Sequence, residues 1–208
     1  RNLVLTGGVA LNCVANARVL AETDYENVWV PPCASDTGTP LGAALWHYHH
    51  RLNKPRTFTI THPFYGLEES DDAIRAALDA AGLEYQRLDD ATLFDQVARD
   101  LADGHIVGWF QGRFEMGPRA LGNRSILADP REAPMVQRIN AAVKQREGFR
   151  PFAPCVLAVR AGDHFEIDRP LPYMLVTVPV RDAGIAPAEG ADLADRLAVD
   201  ALDQDLGL

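Results

Sequence analysis

"NLVLTGGVALN", residues 2 to 12, passes from a short apolar run, Leu3 to Leu5, through Gly7 and Gly8 into residues that start a helix. A run this short suits a buried strand, and a strand halted by two glycines ahead of a helix opens an α/β unit. Leu11, Val14 and Val19 share roughly one face of that helix, and Val28-Trp29-Val30 reads as a second strand ended by Pro31-Pro32. "CASDTGTPLGAALWHYHHRL", residues 33 to 52, then makes a polar turn into a second helix, where Gly42, Ala43 and Ala44 permit close packing. Strand, helix, strand, helix predicts an α/β domain. Ligands of such sheets sit at the carboxyl ends of strands, where Gly7-Gly8 and Asp36 both fall.

Downstream, residues 53 to 66, "NKPRTFTITHPFYG", carry two prolines and little periodicity and read as a linker. Ser70 or Asp71 caps a predicted helix with Ile74, Ala77, Leu78 and Ala81 that stops at Gly82; Thr92 caps another with Leu93, Val97 and Leu101 that stops at Gly104. "HIVGWFQG" is a predicted buried strand, and Pro134 opens a helix with Val136, Ile139 and Val143 as its core stripe. Strands at Val156 to Val159 and Tyr173 to Val180 complete a second α/β unit. From Asp182 to Leu208 seven acidic residues face one basic residue, Arg196, and a loose or weakly helical terminus is expected.

The composition is that of a soluble globular protein: 208 residues, 47% hydrophobic and 24% charged. No apolar run approaches the ~20 residues that span a bilayer, and a cytoplasmic protein without membrane partners is expected. Cys13, Cys33 and Cys155 are too few and too scattered for a disulfide framework or zinc site, so reduced thiols are expected. A net charge of -9 argues against a nucleic-acid partner.

Within that acidic chain lies a basic island. From Arg113 to Arg150 there are eight basic residues (Arg113, Arg119, Arg124, Arg131, Arg138, Lys144, Arg146, Arg150) against four acidic ones (Glu115, Asp129, Glu132, Glu147). It begins in "GRFEMGPRALGNRSILADP", residues 112 to 130, which is too rich in glycine for an ordinary helix and too polar for a core strand. A Gly-rich loop with arginines favours an anion pocket over a solvated face. For Arg113 and Arg146, a surface ion pair with Glu115 or Glu147 is an equal alternative.

With "GGVALN" at 7 to 12, "SDTGTPLGAAL" at 35 to 45, the long Gly/Arg run from Gly112 to Arg131 and "KQREGFRPFAPCVL" at 144 to 157, the sequence resembles the NodU/CmcH-type carbamoyltransferases from about Leu3 to about Val180. The resemblance implies α/β architecture in two parts: residues 1 to 52 as the C-terminal part of an actin/hexokinase-like ATPase-fold domain, and 67 to 181 as an incomplete YrdC-like domain, with an acidic divergent tail over 182 to 208. It implies an enzyme of secondary-metabolite biosynthesis that makes carbamoyl adenylate from ATP and carbamoyl phosphate, then transfers the carbamoyl group to a hydroxyl of a small-molecule acceptor.

The polyanionic substrates explain the arginines, since a guanidinium stays protonated and grips phosphate through paired hydrogen bonds. Arg119, Lys144 and Arg150 are assigned to phosphate binding and transition-state charge stabilisation, with Asn123, Arg124 and Ser125 as further nucleotide ligands. Gly7 and Gly8 let a phosphate or ribose approach the backbone, and Asn12 is placed to bond the adenosine. Asp36 stands where the family uses a metal ligand, iron being the expected divalent ion, although a helix-capping aspartate has the same sequence context. His47, His49 and His50 lie on the helix beyond and are expected to be packed or exposed. The family's upstream histidines and a later basic segment are not recognisable in this sequence, so an internal or truncated piece is expected. The alternative function is a non-catalytic nucleotide- or anion-binding module, or an inactive remnant, with self-association or a complementing chain as its partner.

Overall fold

The computed structural model describes residues 1–132 and 134–181, with the backbone of 196–198. It is mixed α and β, its short strands paired in twos. It has two compact units: Arg1–Pro63, Met116–Leu121 and Phe149–Leu208 in the first, Phe64–Glu115 and Gly122–Gly148 in the second. Among the described residues no helix is long and apolar enough to cross a membrane. No disulfide joins Cys13, Cys33 and Cys155.

In the first unit β1 (Asn2–Val4) and β2 (Asn27–Trp29) pair in parallel, Leu3 opposite Val28, and the Leu5 N–H extends the ladder to the Trp29 carbonyl at 2.9 Å. Parallel neighbours need a crossover, and α1 (Cys13–Glu22) supplies it. Leu11, Val14 and Val19 are half-buried, while the fully buried residues of α1 are Asn16 and Ala17. A buried amide must find partners. That of Asn16 donates to the carbonyls of Ala10 and Leu175, each at 2.8 Å. Leu20 packs with Ala161, Phe165, Leu171 and Val178, which come from α6 (Ala161–His164), the loop after it and β5 (Thr177–Pro179).

Three expectations for this unit are corrected. Val156 to Val159 is no strand; the chain enters a 3-10 turn at Ala158–Arg160, and Leu157 and Val159 are exposed. Apolar β-branched residues form a strand only beside a partner, and none of the described strands runs alongside. The strand at Tyr173 to Val180 shortens to β5, because Tyr173 and Met174 take left-handed backbone (φ +72° and +54°) inside a 3-10 turn. In α2 (Thr39–Trp46), Gly42, Ala43 and Ala44 are exposed rather than packed, and the helix widens into a π turn at His47–Arg51. The expected loose or helical terminus lies outside the described residues, except that β6 (Arg196–Ala198) pairs antiparallel with β5.

In the second unit Ser70 caps α3 (Asp71–Ala80), its hydroxyl accepting from the Ala73 N–H, and the helix gives way to Gly82 at φ +64°. The cap of α4 (Asp90–Ala102) is Asp89, not Thr92: the Asp89 carboxylate accepts the Thr92 N–H at 2.8 Å, so the helix starts earlier than predicted. Ile74 and Leu78 on α3 and Leu93, Val97 and Leu101 on α4 are half-buried, as one-sided helices require. β3 (Val107–Phe110) pairs antiparallel with β4 (Arg124–Leu127), Phe110 opposite Arg124. The Gly/Arg run is therefore a hairpin connection plus its second strand. β3 turns Val107 and Trp109 inward and leaves Gly108 and Phe110 exposed, so it is half-buried, not buried. In α5 (Pro134–Ile139) the buried residues are Met135 and Ile139, joined by Asn140; Val136 and Val143 are exposed. The predicted stripe ran on at 3.6 residues per turn, but a π turn at Asn140–Lys144 carries Val143 out of phase.

Candidate functional site

In the first unit the segments that follow β1 and β2 are tied together. Gly7, at φ +89°, donates its N–H to the Ala34 carbonyl at 2.5 Å, and the Thr6 hydroxyl reaches the same oxygen at 3.4 Å. Gly7 and Gly8 are exposed and open; a 3-10 turn, Gly8–Leu11, follows. Asn12 caps α1, its side-chain oxygen accepting the Ala15 N–H at 3.0 Å. Asp36, two residues beyond Ala34, is exposed and begins the Asp36–Gly38 turn. The carboxyl end of the parallel pair thus carries Gly7, Gly8, Asn12 and Asp36 on adjoining loops.

The middle of the Gly/Arg run belongs to this unit. Met116 donates to the Pro63 carbonyl at 2.7 Å, and Gly117 (φ +96°) passes so close to Pro32 that a Cβ would stand 1.9 Å from its carbonyl oxygen. Only glycine fits there. Two residues on, an Arg119 Nη donates to the Leu11 carbonyl at 3.1 Å, while its Nε is buried without a hydrogen-bond partner. The structure therefore joins Arg119 to the Gly8–Leu11 turn. Arg150 is also in this unit, exposed next to Phe149.

In the second unit the stem of the run is stitched by its own side chains. Glu115 accepts from the N–H groups of Asn123 (2.8 Å), just before β4, and Arg124 (3.0 Å), its first residue. The Asn123 amide donates to the Arg113 carbonyl at 2.8 Å, and the Ser125 hydroxyl accepts the Gly122 N–H at 3.0 Å. Arg124 turns inward: its guanidinium lies 3.5 Å from the Phe110 ring centroid and 4.0 Å from that of Phe114, and donates to the carbonyls of Gln111, Gly112 and Asn123. A cation between two aromatic faces with three carbonyl acceptors braces the hairpin. Arg113 pairs with Glu68 at 3.4 Å, not with Glu115 or Glu147, and also donates to Gly66. At the end of the run Asp129 accepts from both the N–H and the guanidinium of Arg131, whose side chain holds the carboxyl below the usual carboxylate range.

Lys144 ends the π turn after α5, exposed and without an ion pair or hydrogen bond to the described residues. Arg146 points back, its Nε donating to the Asn140 side-chain oxygen at 2.7 Å. Asn140 and Glu115, the two side chains that shape these basic loops, were not among the candidates. A polar residue directly after Ile139 of the apolar stripe, and an acidic residue between Arg113 and Arg119, are the sequence signals that mark them.

A divalent metal needs several oxygen, nitrogen or sulfur donors. Among the described residues no group of three or more His, Cys, Asp or Glu side chains gathers. Asp36 by itself supplies too few donors to hold such an ion, and the described residues gather no such group around it. His50 stacks on Trp46, and His49 meets the Tyr48 ring edge-on and the Lys54 carbonyl at 3.0 Å.

Comparison with known proteins bears on both ends of the chain. The family model described as carbamoyltransferase N-terminus matches residues 1–45, and that described as carbamoyltransferase C-terminus matches 98–198. An uncharacterised protein of Synechocystis sp. is 46% identical over 187 residues, covering 87% of this chain and 30% of that protein. Nodulation protein NolNO of Sinorhizobium fredii is 43% identical over 189 residues (88% of this chain, 28% of that protein). The 3'-hydroxymethylcephem-O-carbamoyltransferase of Streptomyces clavuligerus is 37% identical over 185 residues (86% and 33%). The chain thus spans about a third of the length of these relatives.

Proposed function

From the premise that this chain belongs to the carbamoyltransferase family, we propose that it serves carbamoyl transfer to a hydroxyl group, with ATP and carbamoyl phosphate as the substrates its basic loops receive. The finer fold reading goes with this: residues 1–52 as part of an actin/hexokinase-like ATPase-fold domain, which the parallel β1–α1–β2 unit supports, and residues 67–181 as a YrdC-like domain.

The chemistry runs in three stages. Water releases inorganic phosphate from carbamoyl phosphate to leave carbamate. A carbamate oxygen then attacks the α-phosphorus of ATP and pyrophosphate leaves, giving carbamoyl adenylate. The acceptor's hydroxyl oxygen next attacks the carbamoyl carbon, its proton is lost, and AMP departs. Each stage gathers negative charge on phosphate oxygens. Fixed guanidinium and ammonium groups with open backbone N–H groups stabilise that charge.

The observation that carries the proposal is Arg119 on the Gly8–Leu11 turn. A cation there stands beside backbone that glycine keeps open, at the carboxyl end of a parallel strand pair, where α/β proteins receive nucleotides. Within the first unit Arg150 is proposed as a further cation, and within the second Lys144 is proposed as an anion ligand of its own loop, while Arg124, Asn123 and Ser125 serve by holding the Gly/Arg loop. Calorimetric titration of ATP and carbamoyl phosphate tests it. Binding should weaken with salt and fall about tenfold or more in Arg119→Ala and Lys144→Ala, since one charge-assisted hydrogen bond is worth about 1.5–3 kcal/mol. Undiminished binding in both variants overturns the site. Assay of carbamoylated product from the same chain separates turnover from binding alone.

A further inference from the structure

We propose that Asn140 is the positioning residue for Lys144, an inference that rests on Lys144 being an anion ligand as read above. Asn140 is fully buried, at a point in a helix where asparagine is a poor helix former and an apolar residue would pack without penalty. Its backbone carbonyl and both side-chain groups instead hold one turn. Its main-chain carbonyl accepts the N–H of Gln145 and, at 3.0 Å, that of Arg146. Its side-chain oxygen accepts the Nε–H of Arg146 at 2.7 Å, and its side-chain amide donates to the Gly148 carbonyl at 3.3 Å.

These bonds close residues 144 to 148 into a loop that includes Gln145 in left-handed backbone at φ +47°. Lys144 stands at the start of this loop, exposed and without a partner among the described residues. A lysine stem has four rotatable carbons, so what directs its ammonium is the backbone from which it springs. That backbone is held by Asn140. An aspartate would accept from Arg146 but leave the Gly148 carbonyl unserved, and an apolar residue would do neither; an amide one methylene from the backbone does both.

A double-mutant cycle in the full 208-residue chain tests this, with ATP as the probe in calorimetric titration at fixed salt. Lys144→Ala and Asn140→Ala should each weaken binding by about tenfold. The double variant should bind no more weakly than Lys144→Ala alone, because a misplaced lysine and an absent one are equivalent. If Lys144→Ala weakens binding and Asn140→Ala does not, or if the two losses add, Asn140 does not act through Lys144 and the inference fails while the site stands. If Lys144→Ala leaves binding unchanged, the site reading fails and takes the inference with it. Should Asn140→Ala lose its native far-UV circular dichroism, the same cycle with Arg146→Lys decides. That variant keeps the charge, removes the Nε–H that reaches Asn140, and leaves Asn140 in the core; non-additivity with Lys144→Ala is again required.

Discussion

Arg119 donates to the main-chain carbonyl of Leu11 at 3.1 Å, across 108 residues of sequence. The bond sets one arginine of the Gly/Arg run on the turn that follows Gly7 and Gly8. Charge and geometry at this position are separable. Arg119→Lys keeps the cation but loses the planar fork, and Arg119→Ala loses both. Both variants are expected to bind ATP more weakly, by roughly tenfold or more, with a shallower salt dependence only in Arg119→Ala. Titrations at three salt concentrations check this, and equal slopes in the two variants contradict it.

Glu115 acts as an acceptor for two N–H groups at the start of β4. Glu115→Gln retains a side-chain oxygen and should cost little, whereas Glu115→Ala strands both donors. Stranding them is expected to cost about 1–3 kcal/mol. Urea denaturation of both variants measures the difference; equal stabilities would assign the carboxylate no such work.

Gly117 and Gly122 both have positive φ, but only Gly117 is hemmed in, by the Pro32 carbonyl; around Gly122 a Cβ meets open space. Gly122→Ala should therefore cost only its backbone strain, on the order of 1–3 kcal/mol. Gly117→Ala adds a clash with main chain that cannot swing away and is expected to be clearly worse. Thermal melts of the two variants decide, and a reversed order would place the Gly117 loop elsewhere.

Asp89 titrates below the usual carboxylate range, chiefly because the Thr92 N–H and then the Thr92 side chain bond to it. A depressed folded value means that the cap's charge-dependent contribution is fully present above the unfolded value of about 3.9 and is lost as pH falls through the folded one. Asp89→Asn keeps an accepting oxygen but does not titrate there. The difference in melting temperature between the two proteins should hold steady from neutral pH to about pH 5 and then change against the aspartate form in acid. A difference that is flat from pH 7 to pH 2 contradicts the assignment.

Much of the chain is legible in short windows. Apolar runs stopped by Gly7-Gly8 and by Pro31-Pro32 mark β1 and β2, and Ser70 with Gly82 brackets α3. These are local effects of capping, backbone freedom and periodicity, carried by residues within a turn or two of each other. Where reading failed, a local rule met a non-local or geometric one. Val156 to Val159 has strand composition without a strand partner among the described residues, and Val143 kept its helical period in sequence but lost it to the π turn.

The candidate site divides in the same way. The sequence by itself determined that this is an α/β chain of the carbamoyltransferase family with a basic Gly-rich run, because motifs and local backbone preferences are written in contiguous residues. Only the tertiary structure decided that Arg119 joins the Gly8–Leu11 turn, that Arg124 is folded between Phe110 and Phe114, and that Asn16 and Asn140 are buried. The reason is that a polar group's role depends on which partner replaces its water. For Asn16 that partner is the Leu175 carbonyl, 159 residues away, a distance over which no spacing rule operates.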